Sequence, residues 1–240
     1  MKQMNSAQKK NIVVCLKATR KRNCNERNEF DMGPYDYFAL YQALAYKRKY
    51  NACIICISMG PMSSQNVLRK CVALGADRAI LLADNCFMGS DTYVTSYILS
   101  RAIQRIELVD YIFVGMKSLD GETGQVGFEM AAWLDLPINI YDECSIEYFN
   151  DNSYEYQSVC LFNHYMDCPA LGLFEISRMK NAKIEILNAL DLNIDSNTCG
   201  FKGSLTIVKE SRPIELKRKE RILSGSDSEV SSLLLELLHH

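Results

Sequence analysis

Residues 52–82 read ACIICISMGPMSSQNVLRKCVALGADRAILL, and this stretch decides the fold. Residues 52–58 form a run of apolar and small side chains, which is typical of a strand buried on both faces of a sheet. Between Ser63 and Gly75 the apolar residues recur at spacings of three and four. This spacing predicts an amphipathic helix that Ser63 caps and Gly75 ends. Residues 78–82 return to a strand-length apolar run, so the stretch predicts a βαβ unit with parallel strands.

The same alternation extends through the first 141 residues. Apolar runs predict strands at residues 11–17, 52–58, 78–82, 111–115 and 137–141. Helical periodicity predicts helices at residues 34–49, 63–75, 91–106 and 123–134. We therefore predict an α/β fold, with a doubly wound, mainly parallel sheet that carries helices on both faces.

The pattern changes after residue 143. Residues 145–149 and 154–162 flank an Asn-Asp-Asn turn signal at residues 150–152, and together they predict an antiparallel hairpin. Residues 168–176 and 202–208 are further strand candidates.

The apolar density falls beyond Leu190, where residues 193–200 resemble a linker. We predict an α/β domain over residues 1–190 and a C-terminal arm over residues 191–240. The arm ends in an amphipathic helix at residues 228–238, whose apolar face packs either on its own domain or on another chain.

The composition argues against several classes of function. The chain has 27 Lys and Arg against 29 Asp and Glu, a formal net charge of −2. This balance gives no reason to expect nucleic acid or an anionic membrane as a partner. The apolar run near the N-terminus is too short for a signal sequence or a membrane-spanning helix. We therefore expect a cytoplasmic protein without membrane insertion.

Cysteine and histidine do not predict a metal or thiol centre. Cys53 and Cys56 match the CxxC spacing, but they lie inside a predicted strand, where residues three apart point to opposite faces. The cysteine spacings are not typical of a disulfide framework, and a cytosolic chain keeps its cysteines reduced. Apart from the C-terminal pair, His164 is the single histidine of the sequence. We predict no catalytic residue and no metal site.

Ligands of an open parallel sheet bind beyond the carboxyl ends of its strands. Residues 15–17 with 32–35, residues 58–61 and residues 117–127 are all predicted to lie there. Residues 117–127 read KSLDGETGQVG and surround the predicted start of a helix. Their glycines allow close backbone approach, and free N–H groups with the helix dipole suit a phosphate. Thr123 adds a hydroxyl group and Gln125 an amide.

An alternative is that Thr123 only caps this helix and that the glycines only serve packing. The loop is neither a P-loop nor the GxGxxG motif of dinucleotide-binding folds, which argues against an ATPase or a nicotinamide enzyme.

Five motifs in this order resemble the β subunit of electron transfer flavoproteins. They are VCLK at residues 14–17, MGPYD at 32–36, SMGP at 58–61, ALGADR at 73–78 and GMKSLDGETGQVG at 115–127. The resemblance covers roughly residues 11–141 and fades after them.

The resemblance implies a Rossmann-like core, related to adenine nucleotide α-hydrolase folds, and a heterodimer with a larger α subunit. In this family the α subunit holds the redox-active FAD, and the β subunit holds AMP or, in electron-bifurcating members, a second FAD. The arm over residues 191–240 would then pack on the α subunit. Matched by motif, the expected nucleotide contacts are Cys15, Gly33, Pro34, Tyr35, Asp36, Met59, Asp120, Gly121, Thr123, Gly124, Gln125, Val126 and Gly127.

Two departures from the family pattern matter. Gly33 stands where the family more often has asparagine, so a side-chain amide contact is lost. The loop that the family uses to dock a partner dehydrogenase looks shortened before residues 179–183. We therefore expect the apolar anchor that such a loop supplies to be missing. Either a dedicated partner binds elsewhere on the protein, or contacts with a dehydrogenase depend on charges such as Arg178, Lys180 and Lys183.

Three functions follow from these observations. The first is a carrier subunit that holds AMP and passes electrons between a flavin dehydrogenase, such as an acyl-CoA dehydrogenase, and an acceptor through the FAD of the α subunit. The second is an electron-bifurcating subunit whose own FAD oxidises NADH. The third is a stand-alone adenine-nucleotide sensor, against which the long region after Tyr141 argues.

Overall fold

The structure is a computed structural model that describes residues 9–20, 30–142, 157–210 and 225–238. In these ranges, seven parallel strands form one sheet. The strands are β1 (Asn11–Cys15), β4 (Cys53–Met59), β5 (Arg78–Leu82), β6 (Val109–Gly115), β7 (Ile138–Tyr141), β8 (Ser158–Phe162) and β9 (Glu185–Leu187). Their order across the sheet is β7-β8-β6-β1-β4-β5-β9. Two short strands, β2 (Ala18–Arg20) and β3 (Phe30–Met32), form a separate antiparallel pair.

Helices lie on both faces of the sheet, as predicted. They are α1 (Pro34–Tyr50), α2 (Gln65–Leu74), α3 (Thr92–Ile103) and α4 (Val126–Leu134). Side chains of β1 alternate between two cores, because successive residues of a strand point to opposite faces. Ile12 and Val14 pack with α1 and α2, whereas Val13 packs with α3 and α4. The α/β doubly wound prediction is confirmed.

Local signals set most helix ends. Pro34 is the first residue of α1, and Gly75 ends α2 with a φ of +131°. The Oδ1 atom of Asp91 accepts a 3.0 Å hydrogen bond from the Val94 N–H and caps α3. Ser63 does not cap α2, because it lies in a 3₁₀ turn that precedes that helix.

The predicted hairpin is wrong over the half that the structure describes. Residues 145–156 of the predicted hairpin lie outside the described residues. Strand β8 pairs parallel with β6 along one edge and with β7 along the other. Both edges are therefore occupied, and neither is available to an antiparallel partner at residues 158–162. All five residues of β8 are buried, as expected for an interior strand of a parallel sheet.

Two further strand predictions are also wrong. Helix α5 (Leu173–Asn181) lies where residues 168–176 predicted a strand, and α6 (Gly200–Gly203) lies at the start of the candidate at residues 202–208. The apolar residues Leu173 and Phe174 misled the strand assignment because they are exposed rather than buried. Strand β9 was not predicted, since three residues carry too little pattern.

The chain divides into two compact units, residues 1–207 and residues 208–240. Leu192 and Ile194, which follow the predicted boundary at residue 190, pack into the core beside α3 and α4. The second unit contains α7 (Asp227–Leu238), on which Leu234 and Leu235 are exposed. Over the ranges that the structure describes, no helix is long and apolar enough to cross a membrane.

Candidate functional site

The carboxyl ends of β6, β1 and β4 lie side by side at one edge of the sheet. Cys15 at the end of β1 pairs with Val114 on one side and with Ile57 on the other. From β1 the chain first builds the sheet outward through β4 and β5, and it then places β6 on the opposite side of β1. Such a reversal opens a crevice between β1 and β6, which is where open α/β sheets bind ligands.

Asp36, in the first turn of α1, is buried at this edge, with a relative exposure of 6%. Its Oδ2 atom accepts a 2.8 Å hydrogen bond from the Lys17 N–H. Burial raises the pKa of Asp36 to about 7, although the Lys17 amide and ammonium groups oppose this rise. The carboxylate is therefore bonded to the main chain that leaves β1, and its Oδ1 atom lies beside Gly115 at the end of β6.

Gly115 at the end of β6 permits a close approach of α1. A Cβ atom here would lie 2.5 Å from Asp36 Oδ1, 2.7 Å from Asp36 N and 2.7 Å from the Tyr35 carbonyl carbon. Two of these neighbours are backbone atoms, so a side-chain rotation could not relieve the contact. The absence of a side chain at this residue therefore sets how closely α1 approaches β6.

An ion pair connects the loops that follow β1 and β6. The Lys17 Nζ atom lies 2.8 Å from both carboxylate oxygens of Asp120. Partial burial would raise the pKa of Asp120, but hydrogen bonds from Lys17 and Ser118 outweigh it and hold that pKa below its ordinary value. Asp120 is therefore an ionised partner of Lys17 at neutral pH.

The loop before α4 is open to solvent. Gly121, Thr123 and Gln125 are exposed, and Gly124 has a φ of +65°. Helix α4 begins at Val126, three residues later than predicted, and its N-cap residue Gln125 makes no side-chain capping bond. The alternative in which Thr123 caps the helix is therefore wrong. The first N–H groups of α4 lack partners within the helix, so they can bind an anion.

The two residues that start α4 face the core. Val126 packs against the α3–α4 side of the sheet, and Gly127 is buried. A Cβ atom at Gly127 would lie 2.3 Å from the Leu161 Cδ2 atom on β8. Packing was the alternative role that the sequence suggested for the glycines of this loop, and it applies to Gly127. A ligand could contact only the main chain of Gly127.

Tyr35 belongs to an aromatic group at the same edge. Its ring lies edge-to-face with the ring of Tyr165 at 6.1 Å, and Lys117 Nζ lies 5.4 Å from its centroid. Gly33 and Pro34, just before it, are buried at the start of α1. The chain thus presents an aromatic side chain and a cation beside the crevice.

Cys15 and Met59, the remaining predicted contacts, end their strands. Met59 is half-buried at the end of β4. The Cys15 thiol is 3% exposed within the core, and burial followed by the nearby Asp36 charge raises its pKa. The Cys15 side chain therefore remains a neutral thiol, and a contact with a ligand would use its main chain.

Three residues here were given no individual role from the sequence. Lys17 follows β1 and Gly115 ends β6, so their position at the carboxyl edge was an available signal. Tyr165 follows β8, and its place became apparent only once β8 proved to be a parallel strand.

The cysteines of the described residues are free thiols, and no group of three or more potential metal ligands lies together in those ranges. Cys53 packs on the α3–α4 side of the sheet and Cys56 on the α1–α2 side. The prediction that this pair lies on opposite faces is confirmed.

Comparison with known proteins identifies the family. The family model of the electron transfer flavoprotein domain matches residues 23–141. The chain is 34% identical over 225 residues to electron transfer flavoprotein subunit beta of Thermoanaerobacterium thermosaccharolyticum, which covers 87% of this chain and 85% of that protein. It is 30% identical to the subunit beta of Clostridium acetobutylicum, with 95% and 97% covered. It is 31% identical to protein FixA of Azotobacter vinelandii, with 84% and 80% covered.

Each comparison covers most of this chain and most of the related protein. The matched domain includes strands β4 and β6, which flank β1, and the loop before α4. The chain therefore belongs to the electron transfer flavoprotein β-subunit family.

Proposed function

We propose that this chain is the nucleotide-holding subunit of a heterodimeric electron transfer flavoprotein. It binds AMP as a structural group, and its α-subunit partner holds the FAD. Electrons pass through that FAD from a flavin dehydrogenase, such as an acyl-CoA dehydrogenase, to an acceptor. The uncapped start of α4, which borders the crevice between β1 and β6, carries this proposal.

The residues at the carboxyl edge suit an adenine nucleotide. The first N–H groups of α4 and the exposed hydroxyl group of Thr123 suit a phosphate. Asp120 would repel a phosphate, but Lys17 neutralises its charge. The ring of Tyr35 offers an aromatic surface against which a base could pack. These residues hold and orient the nucleotide, and no bond-breaking role is assigned to them.

The two alternatives make different demands on the chain. An electron-bifurcating subunit would hold a second FAD at the same edge and oxidise NADH there. A stand-alone nucleotide sensor would not need residues beyond β7, whereas here β8 and β9 complete the sheet after Tyr141. This participation of the later residues favours a family subunit over a sensor.

Co-purification tests the proposal. The chain is expressed alone and together with an α subunit encoded beside it, and each preparation is denatured and its nucleotides are separated by chromatography. We expect the isolated chain to be colourless and poorly soluble, and the heterodimer to contain one FAD and one AMP. A second FAD would support the bifurcating alternative. A stable chain that forms no complex with the α subunit would contradict the proposal.

Substitutions in the loop before α4 should separate phosphate binding from helix capping. Thr123→Ala should lower AMP affinity by about tenfold to a hundredfold, which corresponds to one lost hydrogen bond to a charged group. Gln125→Glu should weaken AMP binding further by charge repulsion. Without nucleotide it should stabilise α4 by about 0.3–1 kcal/mol, since a negative charge is favourable at a helix N-terminus. AMP occupancy and thermal unfolding of the heterodimer measure the two effects.

Gln104→Glu supplies the matched control, because it makes the same change at the other end of a helix, after α3. Unchanged AMP occupancy in both loop variants would mean that this loop does not contact the phosphate. Gly127→Glu is not a suitable test, because its side chain would first collide with Leu161.

A further inference from the structure

Two segments that contact each other carry exposed apolar side chains. Met88 follows the 3₁₀ turn after β5, and Phe201, Leu205 and Ile207 lie on and after α6. Each of these four side chains is more than half exposed. We call the four residues the apolar patch. Large apolar side chains that are exposed together mark interaction sites on protein surfaces.

Close packing holds the two segments of the apolar patch together. The Phe201 N–H donates a 3.1 Å hydrogen bond to the Met88 carbonyl. A Cβ atom at Gly89 would collide with the Phe201 ring, so that ring rests on the glycine main chain. A Cβ atom at Gly200 would collide with the carbonyl oxygen of Cys86. Glycine at both positions therefore lets α6 dock directly on the turn after β5.

Asp91 fixes the residues that follow α6. Its Oδ2 atom accepts hydrogen bonds from the Thr206 N–H at 2.9 Å and from the Thr206 hydroxyl group at 3.1 Å. Its own N–H donates a 2.9 Å hydrogen bond to Ser204 Oγ. Leu205 and Ile207 alternate with these two anchored residues. The exposed side chains are thus held in place before a partner binds, and such preorganisation lowers the entropy cost of binding.

We propose that the apolar patch is an anchor for the α subunit, and that Asp91 is a positioning residue that holds the patch ready for this contact. The inference rests on the proposed function, because it concerns the heterodimer. It also narrows the expectation for residues 191–240. Leu192 and Ile194 pack into the core of this chain, whereas the patch residues on and after α6 are exposed.

The charge around the two exposed apolar surfaces of the domain distinguishes a permanent partner from a transient one. Helix α5 carries three charged residues along with its exposed Leu173 and Phe174. Residues 85–90 carry none, and residues 200–207 carry only Lys202. Permanent interfaces are more apolar and are depleted of charge at their centre, whereas rim charges guide transient encounters. The apolar patch therefore suits the permanent α subunit, and α5 suits a dehydrogenase that exchanges.

The two surfaces also lie on different sides of the sheet. Helix α5 contacts α2, whereas Asp91 caps α3, which packs on the other face. One partner can therefore bind without displacing the other, as a carrier between two proteins requires.

The chain beyond the patch also needs a partner. Residues 208–240 form a separate compact unit, and units below about 40 residues rarely bury enough apolar surface to fold alone. Leu234 and Leu235 on α7 are exposed. Ile207 is the last residue before this unit, so a permanent partner at the patch meets the chain where it enters the unit.

Photocrosslinking in the heterodimer tests which molecule covers the patch. Leu205→benzoylphenylalanine is compared with Leu173→benzoylphenylalanine, because both leucines are largely exposed. After irradiation, the linked peptides are identified by mass spectrometry. We expect residue 205 to link to the α subunit, and residue 173 to link only after the dehydrogenase is added. Links from residue 205 that reach only residues 208–240, a second copy of this chain or the dehydrogenase would overturn the inference.

Thr206→Pro tests the positioning role of Asp91. Proline removes both the N–H and the hydroxyl donor to Asp91, and it leaves intact the Val94 hydrogen bond that caps α3. Thr206→Val is the matched control, because it removes only the exposed hydroxyl group. We expect the dissociation constant of the heterodimer to rise about tenfold in Thr206→Pro and less than about threefold in Thr206→Val, since a loosened segment must be ordered on binding. Dilution of fluorescently labelled heterodimer measures this constant.

Leu205→Ala combined with Ile207→Ala should raise the same dissociation constant by about 30-fold or more, as expected for truncated anchor residues. A wild-type constant in this double variant would overturn the anchor, and a wild-type constant in Thr206→Pro would overturn the role of Asp91. If a variant fails to fold, the crosslinks from residue 205 decide. If the wild-type chain forms no complex with the α subunit, the proposed function fails. A complex in which residue 205 does not reach the α subunit contradicts this inference alone.

Discussion

Gly115→Ala should destabilise the heterodimer by about 3 kcal/mol, at the upper end of the usual cost of overpacking, and should abolish retention of the nucleotide. The added Cβ atom would lie 2.5 Å from Asp36 Oδ1 and 2.7 Å from the backbone nitrogen of Asp36. The backbone at the start of α1 would have to move, and this movement would strain the hydrogen bond from the Lys17 N–H to Asp36. Urea unfolding and AMP extraction of the purified heterodimer measure the two effects.

Gly121→Ala is the control, because it makes the same change in the loop that follows β6. A Cβ atom there would lie 3.5 Å from Ser118 Oγ and 3.9 Å from Lys17 Nζ, which is ordinary contact. We expect it to leave the free energy of unfolding unchanged within about 0.5 kcal/mol. An equal loss of unfolding free energy in Gly115→Ala and Gly121→Ala would contradict a specific role for the approach of α1 to Gly115.

The alternating core from β1 to α4 was predictable because its signals are local. Each strand is a short apolar run, and residues such as Pro34, Gly75 and Asp91 mark helix ends through their own conformational or hydrogen-bonding preferences. The sheet order after Tyr141 was not predictable in this way. Strand β8 inserts between β6 and β7, and such insertion depends on contacts between distant residues.

The candidate site shows the same division. Motifs placed the loop before α4 at the correct edge, but they could not show which residues face the ligand and which face the core. Gly127 proved to be a packing residue against Leu161, and Thr123 proved not to be a cap. Asp36 appeared in a ligand motif, yet its hydrogen-bond partner Lys17 follows β1 and its close neighbour Gly115 ends β6. Only the tertiary arrangement brings these three residues together.

The surface of α5 alters the expected contact with a dehydrogenase. From the apparently shortened loop we expected a contact without an apolar anchor, dependent on Arg178, Lys180 and Lys183. Leu173 and Phe174, however, are each 85% exposed at the start of α5. None of the residues of α5, all described, is buried. An adjacent pair of large exposed apolar side chains is unusual unless a partner covers it.

Leu173→Ala combined with Phe174→Ala should therefore weaken binding of the heterodimer to its dehydrogenase by about 30-fold or more, since truncating an interface hot spot costs about 2 kcal/mol or more. Fold stability should change little, because both side chains are already exposed.

Arg178→Ala combined with Lys180→Ala should weaken this binding mainly at low salt, because charges beyond about 8 Å are screened at physiological ionic strength. The two double variants are compared by calorimetric titration at about 50 mM and about 500 mM salt, where charges are weakly and strongly screened. If the apolar variant binds as wild type and affinity falls steeply with salt, the contact depends on charge, and the exposed pair is not its anchor.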